Sequence, residues 1–321
     1  MLPSNPPRGW RSDPLFGDAL SEFRLLLTGE DRDFVDQLAA RLGVHRVLVE
    51  RSRRRFPPGA RLRAVATLVD LATPLQRHHL RSLLTDRSSL VRIHVVRGLA
   101  RLQDTESIPT ILDLAGRAQP WEAARIADSL VTMGPSAVDP IRAWIEHELE
   151  HPPPAHHMVA LCARVLGLVG DPSAEPVLLR LLASDREEWR VAAASALEDT
   201  GGPDSVQPLL EALEDRSWRV RARAAIALGA MAEPAVGRPV SALLYDPVWW
   251  VRQNSAAALA RIPGGERHLL AALSGPDPYA SDAALNQLTV SGALASAVDR
   301  VRSGTGSEID HQLAALATAS A

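Results

Sequence analysis

Residues 209–262 decide the fold, and they read LLEALEDRSWRVRARAAIALGAMAEPAVGRPVSALLYDPVWWVRQNSAAALARI. This stretch contains the same unit twice, with every equivalent position 31 residues further along the chain. In each copy an apolar helix ends at an aspartate, a Val-Arg pair follows, and a helix rich in small residues comes next. The equivalent positions are Asp215 and Asp246, Val220 and Val251, and Arg221 and Arg252. A repeat of fixed period predicts an array of stacked units.

Further copies of the unit occur on both sides of this stretch. The upstream aspartates and arginines are Asp86, Arg92, Asp185 and Arg190. A weaker copy follows Asp277, where Ser281 takes the place of the arginine. Two helix pairs, at 107–134 and 136–170, fit the period without the Val-Arg pair. The repeat therefore accounts for most of the chain.

The second helix of each unit carries one apolar stripe with helical spacing. In the copy after Asp215 the stripe consists of Val220, Ala224, Ala227, Leu228 and Met231. A single helix pair cannot bury enough apolar surface, so neighbouring units supply the core. We therefore predict an all-α fold, a right-handed α-solenoid of stacked antiparallel helix pairs. Gly229 is expected to lie at or just beyond a helix end, as a C-cap.

One segment matches a known repeat consensus. Residues 166–176 read LGLVGDPSAEP and continue into VLLRLL. This phrase resembles the consensus of HEAT and HEAT-like repeats, including those of the phycobilisome-lyase (PBS-lyase) type, and the resemblance extends over about 73–292. It implies a bacterial interaction scaffold or adaptor without enzymatic activity, in which the repeat arginines pair with loop aspartates along the stack. Because such arrays serve many partners, the resemblance does not identify this one.

The chain divides into four predicted parts. Residues 1–13 are rich in proline and polar residues and are expected to be disordered. Residues 14–72 contain four helical segments without the repeat signature and are predicted to form an N-terminal helical cap. The repeat array then covers 73–300, and 301–321 form a C-terminal tail, either a short helix or a frayed end.

Composition favours a reducing, aqueous compartment. Cys162 is the only cysteine and lies in an apolar segment, so a disulfide framework is excluded. No run of 18 apolar residues or signal-peptide core is present in the sequence. We expect a cytoplasmic protein, with peripheral membrane association as a further possibility.

Charge is distributed unevenly although the net charge is only −3. Residues 41–101 contain 14 arginines and three acids. Such a region suits an acidic protein or an anionic membrane. The candidates Arg53, Arg54 and Arg55 have only Phe56 beside them as an aromatic residue, which argues against nucleic acid.

Tryptophan and arginine cluster at the starts of the second helices. Both types are enriched at binding hot spots, so this edge is a candidate surface for a protein partner. The alternative is that the indoles pack between consecutive loops. The edge candidates are Trp189, Trp218, Trp249, Trp250, Arg219, Arg223 and Asn254. Side chains expected to point into the groove are His94, Arg97, Arg125, Arg164, Arg223 and Asn254.

No sequence motif demands catalysis or a cofactor. Residues 147–151 read HELEH, a spacing that two zinc-protease motifs share, but prolines follow directly and no third ligand is evident. Three functional alternatives stay open beside the scaffold. They are a phycobilin-lyase-like chromophore factor, a HEAT-like DNA glycosylase that binds nucleic acid, and a zinc hydrolase. A membrane-associated enzyme is one candidate partner, by similarity to bacterial HEAT proteins that follow a membrane anchor.

Overall fold

The computed structural model describes residues 14–53, 58–151 and 156–319. The chain forms two compact units, Met1–His147 and Glu148–Ala321. All regular structure in the described ranges is helical, and none of it is β-strand. None of these helices is long and apolar enough to cross a bilayer. The predicted all-α solenoid class is confirmed, since helix pairs stack in sequence order within each unit.

The first unit begins with four helices in the region predicted as a cap. The helices of this part of the chain are α1 Pro14–Leu26, α2 Gly29–Leu42, α3 Val44–Arg53, α4 Pro58–Leu71, α5 Arg77–Ser82, α6 Ser89–Arg101, α7 Ile108–Gly116, α8 Pro120–Val131 and α9 Val138–Glu150. Helix α9 contains the boundary between the units. In the first unit α4 packs against α6, and α6 packs against α8. The region before residue 72 thus already joins the stack of second helices, while the predicted domain boundary there stays a prediction.

The second unit contains the clearest repeats. Its helices are α10 His156–Val169, α11 Glu175–Leu182, α12 Glu187–Thr200, α13 Pro203–Ala212, α14 Trp218–Met231, α15 Gly237–Ala242, α16 Trp249–Leu259, α17 Glu266–Leu273, α18 Pro278–Val290, α19 Ala293–Arg302 and α20 Glu308–Ala319. The second helices α10, α12, α14, α16 and α18 pack successively against one another. Their equivalent leucines Leu197, Leu228 and Leu259 are fully buried.

Gly229 lies inside α14, so its prediction as a C-cap was wrong. A Cβ at this position would come within 2.7 Å of the Ala258 Cα and 2.8 Å of its Cβ. Similarly, a Cβ on Gly167 in α10 would lie 2.6 Å from the Cα and 2.8 Å from the Cβ of Ala196 in α12. Glycine facing alanine is therefore what allows the second helices to approach so closely.

The structure describes most of the predicted C-terminal tail, whereas the predicted disordered segment 1–13 lies outside the described residues. At the other end α20 packs against α19, and Leu313 is buried there. The Arg300 guanidinium donates to the Asp310 carboxylate at 2.6 Å and links the two helices. Most of the segment predicted as a tail is therefore helical.

Candidate interaction surface of the repeat array

The repeat arginines of the second unit bridge consecutive helix pairs. Arg190 donates from Nε and Nη2 to both oxygens of Asp215, at 2.7 and 3.0 Å. Arg221 grips Asp246 in the same bidentate way, at 2.8 and 3.1 Å. Both pairs span 25 residues and are largely buried. We call these pairs the Arg–acid ladder. In it, each arginine binds the loop aspartate of the next helix pair.

The remaining guanidinium nitrogen fixes each arginine to its own loop. Nη1 of Arg190 donates to the Ser184 carbonyl at 2.9 Å, and Nη1 of Arg221 donates to the Asp215 carbonyl at 2.8 Å. The Asp215 carboxylate also accepts the Ser217 backbone N–H at 2.7 Å. Each loop is thereby hydrogen-bonded both to the helix that follows it and to the preceding helix pair. The role of these arginines is therefore structural.

The pKa values reflect these contacts. Burial alone raises the pKa of Asp215, but the hydrogen bonds from Arg190 and the Ser217 backbone outweigh it, and the net shift is downward. The same hydrogen bond to Asp215 raises the pKa of Arg190. The pair is therefore ionised over the whole neutral range.

The first unit contains related pairs that the repeat signature did not identify. Arg92 was predicted to pair with a loop aspartate, but its fork grips Glu122 in α8, with both contacts at 2.7 Å. The partner is a glutamate because the next helix pair of the same unit has a carboxylate, that of Glu122, in its second helix. Arg61 in α4 pairs with Asp86, 25 residues further on, so the ladder spacing also occurs in the predicted cap.

The ladder is interrupted at Arg252. Its Nη1 donates to the Asp246 carbonyl at 2.7 Å, as the equivalent arginines do. Yet its buried Nε has no hydrogen-bond partner among the described residues. No ion pair to Arg252 occurs in the described part of the chain; instead its guanidinium carbon lies 5.1 Å from the ring centroid of Tyr279. A buried guanidinium without a carboxylate distinguishes the repeat of Arg252 from the two preceding repeats, those of Arg190 and Arg221.

The four tryptophans proposed for the binding edge fall into different environments. Trp189 is buried, because it occupies the position taken by the core residues Val220 and Val251 in the other units. It is therefore not available to a partner, which corrects that part of the prediction. Trp218 is half-buried and lies 5.0 Å from the Arg219 guanidinium.

Trp249 and Trp250 are exposed. Their relative exposures are 51% and 56%, and their rings meet edge to face at 4.6 Å. Both tyrosines of the chain are exposed as well, at 49% for Tyr245, four residues before Trp249, and at 63% for Tyr279, whose ring lies over the guanidinium of Arg252 in α16. We call these four residues, Tyr245, Trp249, Trp250 and Tyr279, the aromatic edge. The sequence pattern did not predict a role for the tyrosines, because neither belongs to the Asp and Val-Arg positions that define the repeat.

A shallow groove of about 600 Å³ runs along α10, α12 and α14. Arg164, Arg219 and Arg223 line it together with Glu187 and Glu188. The Glu187 carboxylate accepts from the Ser217 hydroxyl and the Arg219 guanidinium, and these contacts lower its pKa. Charges of both signs face this groove, so it has no clear preference for an anion.

Other predicted groove residues are less available. Asn254 is half-buried, and its side-chain amide N–H donates to the backbone carbonyl of Trp250 at 2.7 Å. In the first unit His94 is half-buried; burial and then Arg97 lower its pKa, with a smaller contribution from Arg125. Arg97 itself lies 3.6 Å from the Asp70 carboxylate.

Carboxylates within the first unit neutralise part of the basic stretch 41–101. The arginines paired in this way include Arg61, Arg63, Arg81, Arg92, Arg97 and Arg101. Arg53 is exposed, whereas the candidates Arg54 and Arg55 lie outside the described residues. Among the residues of this stretch that the structure describes, paired arginines therefore separate the unpaired ones along the chain.

The remaining chemical candidates show no assembled centre. Helix α9 ends at Glu150, within the HELEH stretch. Among the described residues no group of three histidine, cysteine or acidic side chains could hold a metal ion. Burial strongly raises the pKa of the Cys162 thiol, which is the wrong direction for a nucleophile.

Comparison with known proteins identifies the repeats. The family described as HEAT repeats matches residues 141–219 and 206–289. No curated protein sequence matches the chain. Similar solved structures include an engineered protein, with 20% identity over 91% of that chain and 89% of this one and a TM-score of 0.42.

Two natural proteins give comparable similarities. Human deoxyhypusine hydroxylase in complex with glycerol is 20% identical, over 98% of that chain and 81% of this one, with a TM-score of 0.32. Kap121p bound to Pho4p is 14% identical, over 41% of that chain and 85% of this one, with a TM-score of 0.41. These similarities are too low to transfer a partner or an activity. The residues that match the HEAT-repeat family, 141–289, include the second helices α10, α12, α14 and α16, which pack successively against one another.

Proposed function

We propose that this protein is a non-enzymatic interaction scaffold whose second unit binds a protein partner through the aromatic edge. The observation that carries the proposal is the exposure of Trp249 and Trp250 at the start of α16. Scattered exposed apolar residues are ordinary, but grouped exposed aromatics beside an arginine are typical of binding hot spots. Both tyrosines of the chain are exposed in the same unit, and Tyr279 lies over the guanidinium of Arg252 in α16.

The fold suits this role. Stacked helix pairs hold the helix starts and loops at fixed positions, so little ordering is needed on binding. The Arg–acid ladder contributes to that rigidity, because each loop is bonded to the preceding unit. Exposed aromatic rings on a rigid support gain contact area at a small entropic cost.

A membrane-associated enzyme is one candidate for the partner. Arg41, Arg53 and Arg87 are exposed and have no carboxylate partner among the described residues. We propose that these residual charges provide secondary contacts to an acidic protein or an anionic membrane, in a cytoplasmic protein. Chromophore attachment and DNA-glycosylase-type binding are not favoured by any specific contact in the site.

Affinity capture from the source cytosol and membranes tests the proposal. Wild type is compared with Trp249→Ala/Trp250→Ala and with Trp121→Ala, a control that removes an exposed tryptophan from α8. We expect one protein to be captured in nuclease-treated extract, and its affinity to fall at least about tenfold in the double variant only. Equal capture by all three proteins, or capture of nucleic acid alone, argues against the proposal.

A further inference from the structure

The interruption of the ladder at Arg252 has a chemical consequence. At Arg190 and Arg221 a bidentate guanidinium fork binds both oxygens of a carboxylate. Arg92 does the same with Glu122. The Arg252 side chain is held by the same kind of backbone contact, from Nη1 to the carbonyl six residues earlier. Its fork is therefore positioned like the others, but no carboxylate of the described chain occupies it.

The register shows which internal residue fails to reach it. Asp277 lies 25 residues after Arg252, the spacing found in the intact pairs. Its Oδ1 accepts the backbone N–H groups of Tyr279 and Ala280, at 2.8 and 3.2 Å, much as Asp215 and Asp246 accept those of Ser217 and Val248. Unlike those two aspartates, Asp277 makes no ion pair with the arginine 25 residues before it, among the residues that the structure describes. The Tyr279 ring lies over the Arg252 guanidinium, where the intact loops have Ser217 and Val248 at the equivalent position.

The environment makes an unpaired fork costly. Arg252 is only 8% exposed, and its Nε is buried without a partner. A buried donor that loses its bond to water gains strongly from any acceptor that reaches it, and a carboxylate is the best match for the planar fork. The aromatic edge beside it offers the apolar contact that would exclude water from such a pair.

We propose that Arg252 is the receptor for a carboxylate of the partner, which completes the ladder in trans, with Tyr279 as the ring that moves aside or stacks on it. This inference rests on the proposed function and specifies its chemistry: the partner presents an acidic side chain or a C-terminal carboxylate flanked by apolar residues. Both sources provide the same two oxygens, and they are distinguished by experiment.

The probe is an array of short synthetic peptides, each made with a free and with an amidated C-terminus, assayed on the full chain. Peptides that bind are remade with Asp or Glu replaced by Asn or Gln. Wild type is compared with Arg252→Gln, with Arg252→Lys and with Arg261→Gln. The last variant removes the same charge beyond the opposite end of α16, from an arginine that pairs with Glu198 at 2.8 Å.

We expect wild type to prefer the carboxylate form of its peptides at least about tenfold over the neutral form. That preference disappears in Arg252→Gln, falls severalfold in Arg252→Lys, which keeps the charge but loses the fork, and persists in Arg261→Gln. Dependence on the free C-terminus assigns the terminal carboxylate, and dependence on an internal acid assigns a side chain.

Two results overturn the inference in different ways. If peptides bind wild type and lose affinity in Trp249→Ala/Trp250→Ala, but show the same carboxylate preference in wild type and Arg252→Gln, Arg252 is not the receptor while the scaffold proposal stands. If wild type binds no peptide at all, both proposals lose their support. The lysine variant, together with a thermal unfolding curve for each protein, separates loss of recognition from loss of folding.

Discussion

At the scale of single residues, one position in the repeat unit decides between core and surface. Trp189 lies at the register of Val220 and Val251 and is buried, whereas Trp249 and Trp250 lie three and two residues before the arginine and are exposed. The sequence showed that these tryptophans cluster, but the loop before α12 is one residue shorter than in the other units. Only the three-dimensional register reveals which indoles reach solvent.

The ladder aspartates should contribute strongly to stability. We expect Asp246→Asn to lower the free energy of unfolding by about 3 kcal/mol, because it leaves the Arg221 guanidinium buried without its charge partner. Chemical denaturation followed by circular dichroism measures this loss. Asp185→Asn is the matched control, since this loop aspartate is exposed and should change stability by less than about 0.5 kcal/mol. Similar losses in both variants would show that the pair is not the cause.

The same contacts give a pH dependence with a definite sign. The folded-state pKa of Asp215 is lowered, so the unfolded chain binds the proton more readily. Its contribution to stability is complete above the ordinary value of 3.8 and is lost as the pH falls through the lower folded-state value. The stability difference between wild type and Asp215→Asn should therefore be constant near neutral pH and shrink below about pH 4. A difference that grows on acidification contradicts this assignment.

At the scale of helices, close approach depends on small residues. Period and apolar stripe predicted the second helices and their stacking, because those depend on sequence-local patterns. They did not predict that Gly229 lies inside α14 rather than at its end, since a helix contact between units leaves no local signature. Glu122 was missed for the same reason: its partner Arg92 lies on another helix.

Filling this contact should separate the helices. Gly229→Ala is expected to cost about 1–3 kcal/mol, because the new methyl would meet the backbone of Ala258 at 2.7 Å and one helix must shift. Thermal unfolding provides the measurement. Gly59→Ala, in the first turn of α4 with nothing within 4 Å, is the control and should be close to neutral. Unchanged stability in Gly229→Ala would mean that the α14–α16 contact yields without cost.

At the scale of the whole chain, the uneven charge of the sequence is deceptive. Residues 41–101 carry a large excess of arginine, yet many of these side chains are paired with carboxylates contributed from outside that stretch, such as Glu122 and Asp104. Composition can count charges but cannot show which ones are neutralised by folding. The partner-binding region is therefore sought at the aromatic edge rather than at the basic end.

A weak dependence of duplex DNA binding on salt follows from this pairing. We expect any association at low salt to be weak, with a shallow slope of affinity against salt concentration, because arginines such as Arg61, Arg81 and Arg92 are already paired with carboxylates. Fluorescence anisotropy with a labelled duplex measures the slope. A steep slope that indicates several phosphate contacts, and that is reduced by Arg53→Glu, would revive the nucleic-acid interpretation.

Hydrogen exchange of the full chain, measured with and without its captured partner, tests whether the partner binds the aromatic edge of the second unit. We expect slower exchange at the start of α16 and of α18, around Trp250 and Tyr279, with no change in the first helices α11 and α13. Protection confined to α11 and α13, or to the first unit, would contradict it.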